Sequence, residues 1–334
     1  MSTIEPQPLH SVARSTFVHA LAAAALYFSP VTVVLAPLTL FVPAAFLHAA
    51  LKNGLRSAWG AIIGSGAIIL VLGGGLSLLG SSTDSAAAIA AGVRFLLEVA
   101  VPAGLMAVLL LRGHSFGSLL TAGLAASGAG ILAGELVMRG LFHYSPYAAL
   151  VTNFRTMSAE TLRYYKSIQM PADALKMMTT AADIMVSSFM PFVLLSVAAL
   201  TFLLSLTLLP RLPAARTTGS RFLFRNFALP EWMLILFVLG GISPLARGPL
   251  RMAGLNVLAV VALLYFFQGL AVFRAIILRL GFGAGGRFLA WGMLALLMFY
   301  GLAPIALFIV GLFDPFFDFR KLNRKDVPHE SHTD

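Results

Sequence analysis

The chain has no cysteine in 334 residues, which excludes disulfides, thiolate nucleophiles and cysteine-ligated metals. Charge is scarce too. Only 11% of residues are Asp, Glu, Lys or Arg, against about 25% in soluble domains. Acids are the scarcer sign, 13 against 23 Lys and Arg, which leaves a net charge of +10. Catalytic patterns are also missing: there is no His-Glu-x-x-His, no Gly-x-Ser-x-Gly and no Walker-type phosphate loop. Gly73-Gly74-Gly75 does not substitute for such a loop, because no strand precedes it and no Lys-Ser/Thr follows. His10, His19, His48, His114 and His143 are scattered, and His329 and His332 lie in a polar tail. Neither an enzyme nor a bound metal or cofactor is expected.

What is abundant is apolar surface. The chain is 59% hydrophobic, with a mean hydropathy of +0.91. The stretches 251–278 and 288–313 each exceed the roughly 20 residues that a helix needs to cross about 30 Å of hydrocarbon. Further apolar stretches cover about 15–28, 31–50, 57–80, 86–111, 116–138 and 184–209. The first could pass for a signal-peptide core, but no polar mature domain follows it, so an uncleaved helix is the expectation. The expected fold is an all-α, polytopic transmembrane bundle of about eight spans, eight or nine by the treatment of 229–246. One membrane domain would run from 15 to 313, between a cytoplasmic tail at 1–14 and a second tail at 314–334.

An insertion at 139–183 interrupts the spans. Ser145-Pro146 forms an N-cap and first turn. Beyond it Tyr147, Leu150, Val151, Phe154, Met157, Thr161, Tyr165 and Ile168 follow helical spacing. The 145–168 region therefore reads as an amphipathic helix at the headgroup level or over the bundle. From Pro171 a helix could run unbroken to Leu209, about 58 Å at 1.5 Å per residue and so longer than the bilayer is thick.

Candidate site residues are the polar groups inside apolar spans, which are costly and tend to be functional. Arg94 and Glu98 share a helix face, and Pro102 cannot donate to the Glu98 carbonyl. An internal pair that only fixes packing is the competing reading. Ser187 stands four residues before Pro191, and Tyr300 four before Pro304, so each marks a weakened helix. Asn256 and Gln268 are the polar side chains of the 251–278 span, about 120° apart around it. If the three breaks converge with one of these amides, they would form a small-molecule site near mid-membrane. Glu135 and Arg139 read instead as a structural interface pair.

Basic residues set the expected orientation. The loop 210–228 carries Arg211, Arg216, Arg221 and Arg225 without an acid, while the linker 81–85 has no basic residue. If 229–246 does not cross, the count is 14 Lys and Arg against 8, with both termini inside. Anionic lipid headgroups account for this dispersed charge better than nucleic acid.

The succession FRNFALPEW (224–232), Asn256, LYFFQGLAVF (264–273) and GLFDPFFDFRKL (311–322) resembles the bacterial membrane-protein family called domain of unknown function 2232, which includes YybS-like proteins. Hydropathy matches along most of the chain, and the specific elements lie in the last hundred residues. That family is similar, at a distance, to substrate-binding subunits of energy-coupling-factor vitamin transporters and to a rod-shape scaffold subunit. The resemblance implies that Thr16, Ala20 and Ala24 could dock a transmembrane coupling subunit, although the extra spans and the 139–183 insertion depart from that pattern. Two classes follow: a transporter or its substrate-binding subunit in the bacterial inner membrane, or a scaffold that recruits other inner-membrane proteins.

Overall fold

A computed structural model describes residues 9–28, 36–79, 85–212 and 223–320. Every regular element among them is helical. Helix α1 is Leu9–Phe28, α2 Val42–Asn53 after a 3-10 turn, and α3 Leu55–Leu79. Helices α4 (Ser85–Arg94) and α5 (Val101–Leu111) join through a π-helical stretch, Phe95–Ala100. Then come α6 (Phe116–Phe142), α7 (Pro146–Ser167), and α8 (Ala172–Ile184) joined to α9 (Met190–Leu208) by a second π stretch, Met185–Phe189. Helices α10 (Met233–Ile242), α11 (Gly248–Arg279), α12 (Ala284–Phe299) and α13 (Leu302–Phe317) complete the bundle.

Five helices among the described residues are long and apolar enough to cross a membrane, or six if α12 and α13 form one broken span. The expected eight is therefore higher than length and apolarity support. Against eight, the shortfall lies in α1 and in α2 with its 3-10 turn, which are short or less apolar; α10, the optional ninth, is short as well. The outer surface carries exposed Ile63, Val71, Leu132, Leu136 and Phe288. Such a face suits lipid rather than water. Inside, one core joins α2, α5, α6, α9 and α11, and a second joins α1, α2, α3 and the first π stretch.

Contacts fix helix directions. His19 meets His48 while Tyr27 borders one cleft with Val42, so α1 runs antiparallel to α2. Thr16 meets Ser57 and Ala20 abuts Gly64, so it runs parallel to α3. Leu229 reaches Gln268, Gly240 abuts Leu258 and Ser243 abuts Gly254, so residues 229–243 descend antiparallel along α11. That descent follows about 21 Å of α11. Helix α10 itself is brief, but the extended entry and its 3-10 exit lengthen the path.

The largest departure from expectation is at 288–313. It is no single straight span: α12 and α13 are bent by 109°. Gly301 at the bend has φ +74°, and Pro304 then falls in the first turn of α13, where its missing N–H costs nothing. Helix α13 runs parallel to α11, since Ala259 and Ala262 share a recess with Pro304 and Ile305, Gln268 meets Asp314 and Arg279 meets Phe319. The two cross closely where Gly311 lies on the Tyr265 carbonyl and Gly269 on that of Leu307. A methyl at either glycine would fall within 1.9 Å of that oxygen. Beyond the helix, Arg279 donates to the carbonyls of Phe319, at 3.4 Å, and Arg320. The chain thus returns to the end of α11 that it left.

Helix α7 starts as its sequence directs. Ser145 Oγ accepts from the Ala148 N–H at 3.0 Å. Glu135 takes the Tyr147 N–H at 2.9 Å and the Arg139 Nε at 2.5 Å, a carboxylate at a helix N-terminus. Burial, with Glu135 beside it, holds the Tyr147 phenol above its ordinary pKa. No residue of α7 is fully buried. The half-buried stripe keeps Tyr147, Leu150, Val151, Phe154 and Tyr165 but passes through Ser158 and Leu162, leaving Met157, Thr161 and Ile168 exposed. Helices α8 and α9 run on continuously, as expected. Residues 9–14 are helical, and within 314–320 Asp314 and Arg320 are buried while Phe316, Phe317 and Phe319 are exposed. The linker 81–84, most of the basic loop (213–222) and the segment from Lys321 onward lie outside the described residues.

Candidate functional site

Arg94 closes α4, and Glu98 sits within the π stretch that follows. Their side chains form a two-point pair, Nε to Oε1 at 2.9 Å and Nη2 to Oε2 at 3.3 Å. Neither is fully buried: the side chains are 34% and 17% exposed. The π stretch answers Pro102. The Val101 N–H reaches back to the Leu96 carbonyl, and the Glu98 carbonyl that Pro102 cannot serve accepts the Ser127 hydroxyl of α6 at 2.6 Å. Helix α6 comes that close because of Gly130, where a methyl would lie 2.0 Å from the Leu97 carbonyl oxygen. The pair faces a cleft of about 460 Å³ shared with Tyr27, Thr39 and Thr201, within the range of small-molecule sites. Its polar groups come from four segments, so only the folded bundle assembles it.

The second break is closed differently. Asn256 of α11 inserts its carboxamide into the opened turn beyond Ser187. It donates to the Ser188 carbonyl at 2.7 Å and accepts the Phe192 N–H at 2.8 Å. Its other N–H donates to Met252 at 2.8 Å. Both donors and the acceptor oxygen are therefore engaged within the chain. This is a splice in the helix ladder rather than a ligand contact.

Gln268 belongs to a third arrangement. It accepts the Leu229 N–H at 2.9 Å and donates to Asp314 at 3.2 Å. Asp314 pairs with Arg320, whose Nη1 donates to the carbonyls of Arg225 at 3.1 Å and Phe227 at 2.8 Å. Gln268, Asp314 and Arg320 are 0%, 4% and 5% exposed. One clamp thus ties α11, α13, the turn after it and the 225–229 loop. Three of the four elements that carry the family resemblance meet here.

Tyr300 stands apart, 67% exposed at the bend. The three breaks do not meet at one polar pocket. Residues after the second and third, Phe192 and Pro304, share a recess of about 410 Å³, but its walls are entirely apolar. The proposed docking stripe is also occupied. Thr16 bonds Ser57 at 2.7 Å, and Ala20 and Ala24, each 2% exposed, pack within the α1–α3 core. Any coupling subunit would have to dock elsewhere.

Two arrangements escaped sequence reasoning. Asp314 and Arg320 are six apart, off any helical pairing, and meet only because Asp318 turns left-handed at φ +42°. The D-x-x-x-DFRK pattern was the available signal, but nothing in its spacing pairs Asp314 with Arg320. His19 and His48, joined at 2.8 Å, are separated by 29 residues, and nothing in their surroundings paired them.

No curated protein and no solved structure matches the chain. A family model described as "Predicted membrane protein (DUF2232)" matches residues 16–315, which include the Arg94–Glu98 cleft, Asn256, Gln268 and Asp314. With apolar helices throughout and that match over most of its length, the chain belongs to the DUF2232 family of predicted membrane proteins.

Proposed function

We propose that this membrane protein is a small-molecule transporter of the bacterial inner membrane, or the substrate-binding subunit of one. Its site would be the Arg94–Glu98 cleft, and its role binding rather than catalysis. The observation that carries this reading is a paired guanidinium and carboxylate on the wall of a 460 Å³ cleft. A ligand with both an anionic and a cationic group could exchange for the internal partners one for one, leaving no charge unpaired.

The proposed orientation puts both termini in the cytoplasm. Suppose α1, α2 and 229–246 cross together with the five long helices while α12–α13 turns back. Then only Arg139, Arg155, Arg163, Lys166, Lys176, Arg247 and Arg251 fall outside, and 15 of the 23 Lys and Arg fall inside, with Arg94 in the membrane. This is a clearer positive-inside bias than 14 against 8.

The scaffold reading has one observation in its favour. The amides expected to serve a ligand, Asn256 and Gln268, are both engaged within the chain. Purification of the full chain with its native lipids, followed by native mass spectrometry, separates the two. A transporter subunit retains a small molecule that Arg94→Ala and Glu98→Gln release while the thermal unfolding transition is kept. A co-purifying protein without any bound small molecule overturns the transporter reading in favour of the scaffold.

A further inference from the structure

A larger groove, about 920 Å³, lies between α1 and α2. Because these helices are antiparallel, with His19 level with His48, the groove has two distinct ends. Arg14 and Lys52 stand at one, with Ser11 and Ser15 beside them; Leu26, Leu38 and Phe41 stand at the other. Val18 and Ala22 line the path between and are exposed. No Asp or Glu lines it among the described residues, and neither Arg14 nor Lys52 forms an ion pair among them. Midway, His19 Nδ1 donates to the Ser15 carbonyl at 2.5 Å, so its Nε2, in the neutral ring, accepts from His48 Nδ1. The imidazoles satisfy one another, and the Arg and Lys of the groove wall stand at one end only.

From Arg14 to Leu26 the groove spans 12 residues of α1, about 18 Å of helix rise. That is close to the depth of one leaflet, half of about 30 Å. A wall that is basic at the surface and apolar for one leaflet below matches the polarity of an anionic lipid. We infer that this groove holds one anionic phospholipid, with its phosphate headgroup at Arg14 and Lys52 and an acyl chain along Val18, Ala22 and Leu26. The site is separate from the Arg94–Glu98 cleft and stands or falls independently of it.

The test uses the full-length protein, delipidated in mild detergent and titrated in native mass spectrometry. The probes are phosphatidylglycerol and phosphatidylcholine of identical chains, with inorganic phosphate as a soluble competitor. Phosphatidylglycerol should bind at least tenfold better, on the order of fivefold of that preference being lost with Arg14→Gln or Lys52→Gln. Ala22→Trp should abolish retention of both lipids by filling the groove. Val18→Asp, on an exposed position, should lower phosphatidylglycerol binding if the bulky variant fails to fold. Arg112→Gln, a basic change outside the groove, should leave the preference intact. Equal binding of the two lipids, indifference to all groove variants, or full displacement by inorganic phosphate overturns the proposal.

Discussion

Two ionic pairs show how differently one chain can use an acid and an arginine. Arg94 and Glu98 are neighbours on one helical segment and remain partly open to a cleft. Asp314 and Arg320 are brought together by a chain reversal, are almost wholly buried, and bind carbonyls of a distant loop. The side chains of the first pair are hydrogen-bonded to one another within a single helical segment. The second holds four segments, and its atoms have no route to a ligand. Intramembrane charge is thus a weaker sign of function than charge that also borders open space. The motifs most diagnostic of the family mark the clamp, whereas the candidate site lies in the half that no specific motif identified.

The comparison can be broken most sharply by topology, where the expected effect is all-or-none. If the clamp returns the chain to the end of α11 that it left, reporters fused at Gly283 and after Arg320 should lie on the same side of the membrane. Opposite sides would restore a straight final span and remove the clamp's geometric basis. Next in size is the clamp's own stability. Asp314→Leu leaves the Arg320 guanidinium buried without its carboxylate, at an expected cost of about 3–5 kcal/mol. Thermal unfolding in detergent should show it, and Asp314→Leu with Arg320→Leu should recover part of the loss.

A smaller effect belongs to the splice. Asn256→Leu strands the Ser188 carbonyl and the Phe192 N–H, a loss of about 1–3 kcal/mol. Hydrogen exchange should rise at the α8–α9 junction and not at the α4–α5 junction. The smallest effect on stability is expected at Arg94–Glu98. Partial exposure screens that pair, so Glu98→Gln or Arg94→Ala should each cost about 1 kcal/mol or less, with the double change milder than the sum. Additive losses in the same unfolding assay would mean that the two do not interact. A loss as large as that of Asp314→Leu would erase the contrast between the regions.

Sequence reasoning reached local matters well. Arg94 and Glu98 four apart, the Ser145 cap, and the continuous helix through 172–211 follow from periodicity and capping, which act within a few residues. Proline positions correctly located all three breaks. What they could not indicate was how each break is resolved: by Ser127 at the first, by Asn256 at the second, and by a 109° bend at the third. Those answers depend on which helix lies opposite. The small-residue stripe at Thr16, Ala20 and Ala24 was legible as a packing face, but not whether its partner was another protein or α3.

Composition by itself determined that this chain is a helical membrane bundle. Lipid leaves the backbone only helices or closed barrels, and continuous apolar runs longer than about 20 residues select helices that satisfy their own hydrogen bonds. Tertiary structure decided everything that depends on direction: that α13 runs parallel to α11, that 229–243 runs against it, and that Asp314 rather than Asp318 receives Arg320. Hydropathy carries no record of direction, because a crossing helix and a returning one bury the same side chains in the same solvent. Only the contacts between non-neighbouring segments distinguish them.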